Sequence, residues 1–114
     1  MMKKVYICAP MTADTQRCIE QAKTYATYAL KCGTAPVVPH FYALCDEANP
    51  KGTVENAGRS LLWFCDELWV FGDRQTKAMK TEIHFCKNLN IPIRHIDPQK
   101  VAKFQEEMKN EENE

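Results

Sequence analysis

Glu82 is a carboxylate set among apolar neighbours. Residues three and four positions apart share one face of a helix, and at those offsets from Glu82 stand Ala78, Met79, Phe85 and Cys86. Lys80, Thr81, Lys87 and Asn88 fall on the other side. An acid that emerges within a packing stripe is costly to ionise without partners, and such surroundings raise its pKa. A perturbed acid beside a crevice is a candidate for catalysis. The alternative is a Glu that reaches the rim and pairs with Arg74 or Lys77.

Other candidates lie where strands end. His40 follows the second predicted strand, where a neutral imidazole can act as acid, base or hydrogen-bond donor. Ala9-Pro10-Met11 closes the first strand and Gly72-Asp73 the third. Asp73 can bind a sugar hydroxyl or simply hold an Asx turn. Tyr6 is a core strand residue whose hydroxyl can also orient a carboxylate. Asp66, at the opposite end of its strand, reads as a structural cap, and His84 and His95 carry no evident chemistry.

Several known chemistries are missing. A phosphatase loop of the form Cys-x5-Arg starting at Cys8 needs arginine where the chain has Asp14. Neither G-x-G-x-x-G nor G-x-x-x-x-G-K-[ST] is present, so an anion would have to use the free N–H groups at the start of the first helix. Cys8, Cys18, Cys32, Cys45, Cys65 and Cys86 form no Cys-x-x-Cys pair, which argues against zinc. No metal or other cofactor is expected. The thiols are expected to be buried, in a reducing cytoplasm.

The elements that must position these groups alternate along the chain. Val5–Ala9 is a short run without clean alternation, as suits a strand covered on both faces. A helix is expected over 15–31, with Cys18, Ala22, Tyr25, Ala26 and Ala29 at helical spacing and Gly33 as its stop. Ala35–Val38 is a second strand. A loop containing Asn49-Pro50 and Gly52 follows, and Thr53 caps a helix striped by Val54, Ala57, Leu61 and Cys65, with Trp63 and Phe64 at its end. Glu67–Phe71 is the third strand and 76–88 the third helix. Ile91–Ile96 is a fourth strand, placed at an edge by Pro92. Asp97-Pro98 starts the last helix, which presents Val101, Phe104 and Met108.

The order β-α-β-α-β-α-β-α implies an α/β, Rossmann-like or flavodoxin-like three-layer sandwich: a four-stranded parallel sheet, order 2-1-3-4, with helices on both faces. Its crevice belongs at the carboxyl ends of the strands, at the switch point between strands one and three. One domain is expected over residues 1–109, followed by a charged, frayed tail at 110–114. Fifteen basic residues balance fifteen acidic ones, so no strong field recruits nucleic acid or a membrane surface. No apolar run approaches the roughly 20 residues of a membrane span, and Lys3-Lys4 leads straight into a strand without a signal-peptide pattern.

Together, V-Y-I-C-A-P-M, D-E-L-W-V-F-G and A-M-K-T-E-I-H-F-C-K-N-L-N-I-P-I resemble the nucleoside 2-deoxyribosyltransferase-like superfamily over about residues 4–96, and within it small uncharacterised bacterial and phage domains. That resemblance implies a nucleoside or nucleotide substrate and cleavage of its N-glycosidic bond, by hydrolysis or base exchange. It makes Glu82 the nucleophile, Tyr6 its contact and Ala9-Pro10-Met11 a wall of the pocket. The enzymes also carry aspartates that handle the base, and the matching positions here are Gly58 and Thr76. His40 or Asp73 would have to donate the proton instead. The alternative is a non-catalytic module that holds a nucleotide or nucleotide-derived signal. The exposed aromatics and edge strand suit a homodimer or larger homo-oligomer, as relatives often complete their site across subunits.

Overall fold

A computed structural model describes residues 1–45 and 53–112, with residues 53–55 and 112 described by backbone alone. Asn49-Pro50, Gly52 and the side chains of Thr53 and Val54 lie outside the described residues. Four strands form one sheet: β1 (Lys4–Cys8), β2 (Ala35–Val37), β3 (Glu67–Val70) and β4 (Ile93–His95). Their order is β2-β1-β3-β4, and every pairing is parallel. Tyr6 stands opposite Val37 on one side and Leu68 on the other. The α/β sandwich with order 2-1-3-4 is therefore present. β1 keeps its expected length but starts one residue earlier, while β2, β3 and β4 are one to three residues shorter than expected, because Val38, Phe71 and the flanks of Ile91–Ile96 leave the ladder.

Helices connect the strands: α1 (Thr15–Lys31), α2 (Thr53–Leu62), α3 (Lys77–Asn88) and α4 (Pro98–Glu112). Local chemistry sets their ends. Asp14 Oδ1 accepts from the Arg17 amide at 3.3 Å and caps α1, and Gly33 (φ +81°) takes the left-handed turn that ends it. Thr76, expected inside the third helix, is its N-cap and accepts from the Met79 amide at 3.3 Å. Asp97 Oδ1 accepts from the Gln99 amide at 2.9 Å. The polar tail is continuous with α4 as far as Glu112. Between β2 and α2, residues 39–44 of the expected loop form a 3-10 turn.

Alternation along the strands sends side chains to opposite faces. Tyr6, Cys8, Leu68 and Val70 pack with Leu62, Met79, Ile83 and Cys86 from α2 and α3. Val5, Ile7, Ala9, Trp69 and Phe71 pack with Ala29 and Val101 on the face covered by α1 and α4. There Tyr25 stacks on Phe71 with centroids 4.5 Å apart. Asp66 is structural, accepting from the Lys4 amide at 2.8 Å and so tying β3 to β1. All six cysteines are free, but Cys32 and Cys45 are exposed, because both fall just beyond a helical segment rather than on its apolar face. No helix among the described residues is long and apolar enough to cross a membrane.

Removing the α4 cap tests this local account. Asp97→Ala should lower unfolding stability by about 0.5–2 kcal/mol, read from the urea midpoint at unchanged slope. The sheet's far-ultraviolet signature should be retained.

Candidate functional site

A cleft opens on the α2–α3 side of the sheet, at the carboxyl ends of β1 and β2. Tyr6 and Ala9 form the floor, Met11 and His40 come from the segments after β1 and β2, and Glu82 comes from the second turn of α3. Pro39, Arg59, Thr76 and Ala78 complete the wall. Residues far apart in the chain meet here because a parallel sheet brings its carboxyl ends together.

Glu82 is half-buried and held from the central strand. The Cys8 thiol donates to Glu82 Oε1 at 3.6 Å. The Tyr6 hydroxyl, two residues earlier on the same face of β1, also faces the carboxylate. Burial pushes the Glu82 pKa above the ordinary carboxylate value, against the opposing pull of Tyr6, Cys8 and the Arg59 charge. Tyr6 and Cys8 are pushed far upward, first by their own burial and then by the Glu82 charge. Both therefore stay protonated and donate.

His40 is buried, 5% exposed, and its Nε2 lies 3.0 Å from the Ala9 carbonyl oxygen. Burial holds its pKa below the usual histidine value although that contact favours the cation. The ring is thus a neutral brace between the 3-10 turn and the end of β1. Its Nδ1 is buried without a partner among the described residues.

The other expected site residues separate. Pro10 packs toward Gly72, where a Cβ would lie 3.5 Å from the proline ring. Gly72 (φ +91°) lines a different cavity, between α1 and α4. Asp73 is exposed, and its charge acts on Tyr25 of α1, whose pKa is raised first by burial and then by Asp73. The turn after β3 therefore faces away from Glu82, and Asp73 does not line the cleft. The cation whose charge acts on Glu82 is Arg59, which lines the same cleft, rather than Arg74 or Lys77.

Arg59 and the Cys8 contact were not singled out from the sequence. Arg59 lies on the short helix before β3, one residue from Gly58, and only the packing of that helix brings it in. The close approach at Gly58 explains the packing. A Cβ there would stand 2.8 Å from Pro39 Cβ and 2.9 Å from the Tyr6 hydroxyl. The position cannot take an aspartate without moving α2. Thr76 is occupied in capping α3. Among the described residues Glu82 is the one carboxylate lining the cleft, and no group of three or more His, Cys, Asp or Glu side chains is placed to hold a metal ion.

Two measurements test this geometry. Gly58→Ala should lose about 1–3 kcal/mol from overpacking, read by urea unfolding. Because the folded-state pKa of Glu82 is raised, its favourable contribution is complete below the unfolded value and is lost as pH rises through the folded one. Glu82→Gln escapes that loss. Its Tm should match the parent's below the ordinary value of 4.5 and exceed it near neutrality.

A search of curated proteins finds no match to the chain. A family model described as "Domain of unknown function (DUF7768)" matches residues 3–96. The matched span begins just before β1 and ends just after β4, leaving α4 outside. Because it covers the whole sheet and every residue of the cleft, the chain belongs to the family described as Domain of unknown function (DUF7768).

Proposed function

We propose that the cleft binds a nucleoside or nucleotide and that the chain acts on its N-glycosidic bond, with Glu82 as nucleophile. The observation that carries this reading is a half-buried carboxylate at the mouth of an open cleft, contacted by two protonated donors. The resemblance to nucleoside 2-deoxyribosyltransferase-like enzymes supports it. In the first step a Glu82 oxygen bonds to the anomeric carbon. The C–N bond breaks and its electron pair leaves with the base, which takes up a proton. In the second step water, or a nitrogen of another base, attacks the anomeric carbon; the bond from that carbon to the Glu82 oxygen breaks, its electron pair restoring the carboxylate, and the attacking group gives its proton to solvent. Tyr6 holds Glu82 in line, and Ala9 and Met11 contact the ligand. No metal or redox cofactor enters either step.

The leaving base needs a proton, help that is worth about 10²–10⁴-fold. Asp73 lies outside the cleft, and the buried His40 is neutral with its Nε2 engaged to Ala9. That arrangement favours a second reading, a module that holds the nucleotide without turning it over. Self-association and a cytoplasmic location belong to both proposals. The free thiols support a reducing compartment. Trp63 and Phe64, 62% and 72% exposed, support a dimer contact. They precede β3, at the opposite end of the sheet from the cleft, so a dimer formed through them leaves each site to its own chain.

A panel of nucleosides and nucleotides separates the readings. For the enzyme, free base is released, and Glu82→Ala lowers the rate by about 10⁴-fold or more while the ligand still raises Tm. For the binder, Tm rises and the ligand is recovered intact. If no compound releases base or shifts Tm, both readings fail.

A further inference from the structure

We propose that Cys8 is a positioning residue for Glu82, its S–H donating a hydrogen bond that holds the carboxylate against the central strand. The inference rests on Glu82 being the reacting group and adds a residue that the resemblance does not supply. Cys8 is fully buried and lies outside the cleft lining, so it reaches a ligand only through Glu82. Its sulfur is 3.6 Å from Glu82 Oε1 and 4.0 Å from the Met79 carbonyl oxygen. Both acceptors belong to α3, so the thiol also sets how that helix sits on β1.

Position matters as much as chemistry. Tyr6 and Cys8 are two residues apart on one strand and project to the same face, giving a pair of donors on the side that meets α3. A thiol suits the second of them. It packs as a small hydrophobe in an apolar core yet still carries a donor. Buried beside a carboxylate it keeps its proton, so it does not become a competing anion or a reactive thiolate. Among the described residues, the other titratable groups around Glu82 are Tyr6 on β1, Arg59 on α2 and Cys86 on α3, with His40 across the cleft. Of these, Tyr6 and Arg59 favour ionised Glu82, so a change at Cys8 is read with both left in place.

The experiment titrates the Glu82 carboxyl carbon by NMR, assigned by its disappearance in Glu82→Gln. Parent, Cys8→Ala, Cys8→Val and Cys8→Ser proteins are compared. Ala and Val remove the donor, with Val retaining the volume should the smaller residue compromise folding. Both should move the Glu82 midpoint upward by about half to one unit, the scale of one ordinary hydrogen bond lost, since a thiol is a weak donor. Ser retains a donor and should bring the midpoint back to the parent value or below. The acid limb of kcat/KM for base release should move with the midpoint in each variant. A packing role alone predicts that all three variants lose stability with no ordered change in the midpoint, and that result overturns the proposal. So does a midpoint that moves while the acid limb stays in place. If no variant releases base, the N-glycosidic reading fails, and the proposed role in that reaction fails with it. The titration still decides whether Cys8 holds the carboxylate, so the two failures are told apart.

Discussion

The placement of the Glu82 carboxylate against the central strand governs the architecture around it. Ionising an acid between a sheet and a helix costs free energy unless donors meet it. Here the donors come from alternate residues of β1, and a guanidinium from α2 faces the same group. The cost is incompletely offset, as the raised pKa shows. A carboxylate left in that condition beside an open cleft has a lone pair available to a ligand. A perturbed acid of this kind beside a cleft is the pattern of a candidate functional group.

Several features serve that placement without touching Glu82. Gly58 lets α2 approach Pro39 and the Tyr6 hydroxyl, closing the floor beside the carboxylate. Thr76 starts α3 at a defined residue, so the second turn delivers Glu82 to the strand end. His40 braces the 3-10 turn against the Ala9 carbonyl and holds the opposite wall. The other side of the sheet, with its Tyr25–Phe71 stack and the α1 and α4 helices, provides the apolar burial on which this arrangement stands. The family match ends before α4, which helps cover that opposite face and does not line the cleft.

Some of this was readable from the chain alone. Alternating β-rich and helical runs dictate a parallel α/β sheet, because each crossover helix carries the chain back to the same end of the sheet. Helical spacing put Glu82 on an apolar face, and strand endings put Ala9, Met11 and His40 near one crevice. These are consequences of local period and chain order, which the residues carry with them.

Other features depend on which groups touch, and tertiary packing alone decided those. The turn after β3 could face either side of the sheet. Its left-handed Gly72 and the packing of Pro10 turn Asp73 toward Tyr25 and away from the cleft. Cys32 and Cys45 were expected in the core but lie just past the ends of helical segments, where no apolar face covers them. Arg59 entered the site because a glycine beside it allows close helix packing, and Cys8 because its strand register puts sulfur opposite a helix carboxylate. From the sequence by itself came the sheet, the crevice and the acid. The partners of that acid came from packing between segments distant in the chain, which no local pattern encodes.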